Sequence, residues 1–400
     1  VTWLHDDMQA ALARYYPGHR FRIPPFLRYH TWVGGDRDGN PNVTPEVTWG
    51  TLLYHKSVML RQYERRVLAL RRRLSLSSRL MDVGQELLES LERDRALLTL
   101  PGDYHERYAM QPYALKLSYV LRRLRATRRH LDALSDFRAE APDFVAHPPA
   151  YSSSQEFLED LLIIQRSLRA SRASLLAEEG SLPHLIAQVR TFGFHLASLD
   201  IRQHSKEHAE ALDEILAAAG VVSEGTRYSS LPEEEKVRIL TRELHSTRPL
   251  LPRDWRGSEK TTRALEVFEV IRHARRYISE HSVTCYIISM TNAVSDVLEV
   301  LVLAKEAGLV RWVQGPDGTR ALESEIDVVP LFETIEDLQG CDALLRRLFS
   351  EKTYRLHLNA RGRYQEIMLG YSDSAKDGGY LAANWNLQDT QSRLAQACRR

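Results

Sequence analysis

The chain has 400 residues, 43% of them hydrophobic and 27% charged, with 54 Lys and Arg against 53 Asp and Glu. This globular composition leaves room for two or three domains or one large barrel, and it excludes disorder as the main state. Near-neutral charge gives no global pull toward nucleic acid or an anionic membrane. No apolar run approaches the ~18–20 residues of a bilayer span. Three scattered cysteines, Cys285, Cys341 and Cys398, exclude a disulfide framework and suit a reducing cytoplasm.

A candidate strand at Phe26–Val33 comes first and runs into Gly34-Gly35. Thr44-Pro45-Glu46 then reads as a helix start: a hydroxyl cap, Pro at the first helical position, and an acid at the positive end of the dipole. Its periodicity continues past Leu70. Further helices are expected at Leu80–Leu98, Tyr113–Leu134, Gln155–Leu176 and Leu182–Phe192, the third opened by a Ser153/Glu156 capping box. Breaks fall at Pro101-Gly102, Pro142, Pro148-Pro149 and Gly180. Residues 44–190 therefore read as a helical insertion. Beyond 190 come short apolar runs at His195–Ile201, Thr284–Met290, Ile326–Phe332 and Glu366–Tyr371, with helices expected at Ser295–Glu306 and Ile335–Leu348. Near-continuous apolar strands alternating with helices are the signature of a parallel sheet buried on both faces. The reading is a predominantly helical α/β chain. Residues 191–390 supply βα units of a partial (β/α)8 TIM-type barrel with large helical insertions, and a doubly wound sheet is the alternative.

Chemistry in such folds gathers at the carboxyl ends of strands. The first strand opens into Trp32-Val33-Gly34-Gly35-Asp36-Arg37-Asp38-Gly39-Asn40-Pro41, a polar loop whose amides and Arg37 suit an anion, although Asp-Gly-Asn-Pro is also plain turn chemistry. Leu199-Asp200-Ile201-Arg202-Gln203 offers Arg202 as a planar fork for phosphate or carboxylate, with Asp200 expected to brace it. Glu333 follows the strand ending at Phe332, and Asp373 follows Gly370, with Lys376 three residues on. Two carboxylates beside a phosphate-bearing substrate suit Mg2+ or Mn2+.

Two other patterns compete. His204-Ser205-Lys206-Glu207-His208 fits the H-x-x-E-H spacing of zinc peptidases, with both imidazoles on one helix face. The basic stretch Arg122-Arg123-Leu124-Arg125-Ala126-Thr127-Arg128-Arg129 reads as a solvated helix face rather than a nucleic-acid site.

Five ordered motifs carry a resemblance. They are Gly34-Gly35-Asp36-Arg37-Asp38-Gly39-Asn40-Pro41-Asn42-Val43-Thr44, Phe192-Gly193-Phe194 with Leu199-Asp200-Ile201-Arg202-Gln203, Ile288-Ser289-Met290, Pro330-Leu331-Phe332-Glu333-Thr334, and Gly370-Tyr371-Ser372-Asp373-Ser374-Ala375-Lys376-Asp377. Together they resemble phosphoenolpyruvate carboxylase of the bacterial and plant type. The resemblance implies a helix-wrapped (β/α)8 barrel, usually in a homotetramer, and a carboxy-lyase that makes oxaloacetate and phosphate from phosphoenolpyruvate and bicarbonate with Mg2+ or Mn2+. It assigns Glu333 and Asp373 to the metal, Arg202 and Lys376 to catalysis and phosphate binding, and Trp32 and Met368 to an apolar wall. It places Arg37 and Asp38 in a substrate-side signature loop. The family's Thr-Ala-His-Pro-Thr and His-Gly-Arg-Gly-Gly motifs do not occur here. The chain is therefore expected to be an internal segment, inactive alone, or else one half of a split or non-catalytic helical scaffold.

Overall fold

The computed structural model describes residues 2–19, 21, 23–138, 150–252, 255–315 and 318–398. The breaks expected at Pro142 and Pro148-Pro149 lie outside them. Helices dominate, and the strands are β1 (His30–Thr31), β2 (Ser198–Leu199), β3 (Ile201–His204), β4 (Cys285–Ser289), β5 (Val310–Gln314), β6 (Arg320–Ser324), β7 (Asp327–Phe332) and β8 (Met368–Leu369). The chain is of the α/β class. It divides into two compact units, one made of Val1–His30, Trp49–Ser198 and Ala274–Ser282, the other of Thr31–Thr48, Leu199–His273 and Val283–Arg400.

The first unit is helical. Its core joins Tyr63, Tyr113, Leu117, Phe157, Leu161 and Ile164, all fully buried. The long helix runs Pro45–Arg73 as its cap predicts, and Ser153 Oγ accepts from Glu156 N at the start of the helix Ser154–Arg169. That helix stops sooner than its periodicity suggests. The Ser171 hydroxyl donates to Leu168 O and accepts from Ala173 N, drawing the backbone out of the helix. A separate short helix, Ser174–Glu178, follows. The helix expected from Leu80 begins only at Gln85, because Gly84 N is tied to Ser167 Oγ. Inside this unit Lys116, 1% exposed, bridges Asp94 and Asp160 at 2.7 Å each.

The second unit holds a parallel four-stranded sheet in the order β3-β4-β7-β8. The pairings run Arg202 with Ile287, Ile287 with Val329, and Leu331 with Met368. All five residues of β4 are buried, as a strand covered on both faces requires. The helices Val294–Glu306 and Ile335–Ser350 follow β4 and β7. The strand expected at His195–Ile201 is displaced toward the C-terminus. Residues 195–197 form a turn, with Ala197 N bonded to His195 O and Leu196 at φ 65°, and pairing begins at Ser198. Phe26–Val33 contracts to two paired residues. The antiparallel hairpin β5–β6 had no separate signal in the sequence.

Candidate active site

Parallel strands deliver the residues after β4, β7 and β8 to one side of the sheet, and this direction sets the site. Gly370 N donates to Phe332 O, so the chain leaving β8 lies against Glu333. A Cβ on Gly370 would meet Glu333 Cγ at 3.1 Å. The helix Tyr371–Gly378 then begins, with Asp373 in its first turn. Glu333 and Asp373, 40 positions apart in the chain, thus lie at the mouths of neighbouring strands.

Arg202 sits inside β3 rather than beyond its end. The loop that follows Trp32 pairs with it in parallel: Arg37 N donates to Arg202 O at 2.9 Å, and Arg202 N donates to Gly35 O at 3.1 Å. Gly35 has to be glycine there, since a Cβ would fall 2.2 Å from Asp200 O. This pairing sets Asp36 opposite Arg202. Its carboxylate takes the guanidinium bidentately, from Nε at 2.8 Å and Nη2 at 2.9 Å. The free Nη1 lies 3.6 Å from Glu333 Oε1 and 4.0 Å from Asp38 Oδ2. The Trp32 ring covers the guanidinium, 4.9 Å from its central carbon.

Asp200 does not brace Arg202 as expected. Its oxygens accept from Trp32 Nε1 at 3.1 Å and from Cys285 Sγ at 3.3 Å, so it orients the tryptophan instead. Asp36 is the partner instead, brought to Arg202 by a pairing that no local pattern in the sequence encodes.

Glu333 is nearly buried, and its Oε2 accepts from Met290 N at 3.2 Å. Met290 has φ 54°, a conformation costly for a side chain with a Cβ. It is held there by Ser205 Oγ and Asn292 Nδ2, which both donate to its carbonyl. Burial pushes the Glu333 carboxyl above its ordinary pKa, against the Met290 amide and Arg202, with Asp373 and Asp38 adding to the rise. Asp373 moves the other way, first through its bond to Lys376 (3.1 Å). For Arg202, the cost of burial is outweighed by Asp36, Asp38 and Glu333, and its pKa rises.

The remaining predicted residues are placed as follows. Met368 packs on Cys285, Ile287, Val329 and Leu331. Lys376 is exposed and paired with Asp373. Arg37 is buried and donates to Gly35 O and Thr48 Oγ1, apart from the Arg202 cluster. The H-x-x-E-H residues are spent on local structure. His204 Nδ1 accepts from Lys206 N at a helix start, His208 Nε2 meets Tyr286 OH at 2.8 Å, and Glu207 pairs with Lys260. That use leaves the zinc-peptidase reading without support.

Comparison with known proteins now decides the family. The phosphoenolpyruvate carboxylase family model matches residues 1–400. The chain belongs to the phosphoenolpyruvate carboxylase family. It is 43% identical over 402 residues to a phosphoenolpyruvate carboxylase of Rhodothermus marinus, covering 100% of this chain and 41% of that relative. It is 43% identical over 399 residues to one from Thermosynechococcus vestitus, covering 98% and 38%. It is 40% identical over 405 residues to one from Roseiflexus castenholzii, covering 100% and 41%. The chain thus spans about two-fifths of the length of these curated relatives. Enzymes of this family generally use a divalent metal, and the donor set fits one. Four carboxylates, Asp36, Asp38, Glu333 and Asp373, stand around two cationic side chains, Arg202 and Lys376. A surplus of two negative charges on hard oxygen donors suits a divalent cation. Among the described residues, no helix is long and apolar enough to cross a membrane.

Proposed function

We propose that this chain carries the phosphoenolpyruvate- and metal-binding part of a carboxylase that converts phosphoenolpyruvate and bicarbonate to oxaloacetate and phosphate. The observation that carries the reading is the convergence of Glu333 and Asp373 beside Arg202. In this reading the four parallel strands are a sector of a (β/α)8 barrel, and the whole protein is a cytoplasmic homotetramer.

The phosphoryl group passes from the enol oxygen to a bicarbonate oxygen, giving carboxyphosphate and an enolate. Carboxyphosphate then releases phosphate and carbon dioxide, and the enolate carbon takes up the carbon dioxide. Arg202 meets the phosphoryl oxygens through its open Nη1 edge, because Asp36 fills the other. Glu333 and Asp373 would hold a divalent cation, which would supply Lewis-acid neutralisation of the enol oxygen's charge. Lys376, long and exposed, adds a mobile positive charge beside Asp373. Trp32, its indole fixed by Asp200, keeps water from the guanidinium face. Asp38, also beside Arg202, tunes the charge that Arg202 presents.

The test is Mg2+- or Mn2+-dependent oxaloacetate formation by a protein of full family length carrying this sequence. Removing one charge-stabilising donor costs about 100- to 1000-fold in rate, and Arg202→Gln and Asp373→Asn should each lose that much. Near-wild-type rates in both variants would sink the site assignment. The 400 residues by themselves are expected to show no turnover, since the relatives use more than twice this length.

A further inference from the structure

Arg37 is the odd residue of its loop. It is 8% exposed, yet among the described residues no carboxylate forms an ion pair with it, Asp36 acting on it only from a distance, and its Nε has no hydrogen-bond partner. Its two bonds go to neutral oxygens, Gly35 O and Thr48 Oγ1. A buried, unpaired guanidinium is expensive to maintain. The cost has already moved its pKa down to about 10, burial being the main cause.

Arg37 lines a cavity of about 630 Å3 that also touches Gln203, Lys206, His208, Arg263 and Tyr286. The cationic groups of this wall are otherwise neutralised. Lys206 pairs with Glu210, Lys260 with Glu207 and Glu210, and Arg263 with Glu259. His208 Nδ1 is a second buried atom with no partner, and its neighbour Tyr286 contributes a phenol. The acids on the wall are Asp38, which faces Arg202, and the paired Glu207 and Glu259. Among the described residues lining the cavity, Arg37 is thus the Lys or Arg left without an acid.

We infer that this cavity is a second anion site, in which Arg37 grips the carboxylate or phosphoryl oxygens of a small-molecule ligand. It borders the candidate active site, with Asp38 on the wall of the one and beside Arg202 in the other. Asp36 and Asp38 pair with Arg202, whereas Arg37 bonds to Gly35 O and Thr48 Oγ1. The backbone bonds from Arg37 N to Arg202 O and from Arg202 N to Gly35 O join the two sites. The inference stands without the proposed reaction, since it needs only the charge and the space around Arg37.

The experiment is calorimetric titration of the 400-residue chain with inorganic phosphate and, separately, with acetate. Arg202→Gln removes competing binding at the other site and is expected to leave one equivalent of anion bound. Arg37→Gln should weaken that binding at least tenfold, and Arg37→Lys, which keeps the charge but not the fork, should weaken it less. Preference for phosphate over acetate, or the reverse, identifies the group gripped. If Arg37→Gln does not fold, the site is read from the Arg37→Lys titration and from crystals of Arg202→Gln soaked in selenate, whose anomalous signal should lie against Arg37. No binding to Arg202→Gln, unchanged binding in Arg37→Gln, or selenate seated elsewhere would each overturn the inference. So would binding to the 400 residues that disappears in a protein of family length, which would show that polypeptide fills the cavity.

Discussion

Asp36 is the residue on which the geometry of Arg202 rests, and its removal makes a quantitative test. Its two charge-assisted bonds join side chains that are 16% and 26% exposed, so solvent screens them only in part. Hydrogen bonds to charged groups are worth about 1.5–3 kcal/mol each net of water, and severing one partner of a shielded charge pair costs about 2–5 kcal/mol. Glu333 at 3.6 Å and Asp38 at 4.0 Å remain to compensate Arg202, so the lower end applies. Asp36→Ala should lower the unfolding free energy by about 2 kcal/mol, and Asp36→Asn, which keeps one acceptor, by about half that. The freed fork should then settle on Glu333 and compete with a cation there. Urea denaturation of the single variants and of the Asp36→Ala/Arg202→Ala pair isolates the coupling, expected at about 1.5–2 kcal/mol. A coupling under about 0.5 kcal/mol, the level of ordinary non-additivity, would refute the claim that Asp36 holds Arg202.

Two further predictions concern buried charge. Lys116→Met leaves Asp94 and Asp160 facing each other without their shared cation, and should cost about 3–5 kcal/mol in urea unfolding. A loss under about 1 kcal/mol would mean that water already reaches the pair. Glu299 is fully buried, with Tyr228 OH donating to one oxygen at 2.9 Å and the other oxygen unpartnered. Burial, reinforced by Asp296, lifts its pKa well above the ordinary value. The folded chain therefore keeps a proton that the unfolded chain releases above about pH 4.3, and stability falls as pH rises through that interval. Glu299→Gln lacks this proton, so its stability relative to wild type should climb with pH by up to about 1.4 kcal/mol per unit. Parallel pH profiles for the two proteins would contradict the assignment.

Much of this architecture was legible in the residues. Thr44-Pro45-Glu46, the Ser153 cap and the apolar runs at 284–290 and 326–332 each combine a local signal with a buried destination, and each element formed where expected. The signal failed where one side chain redirects the backbone. Ser171 ends a helix that periodicity would continue, and Ser167 delays the one after Gly84. The strand near residue 195 moved because apolar content cannot say which residues of a run will pair. The placement of Glu333 and Asp373 after neighbouring strands followed from reading strand ends on a parallel sheet. The partner of Arg202 did not, because Asp36 reaches it through a pairing 166 positions apart in the chain, which no local spacing encodes.

The most direct test of the central claim is Mn2+ binding to the 400-residue chain, followed by the loss of the free-ion electron paramagnetic resonance signal. One equivalent should bind, and Glu333→Gln and Asp373→Asn should each weaken it at least tenfold. If Mn2+ binds as tightly to both variants as to the wild type, the two carboxylates do not share a cation and the account fails.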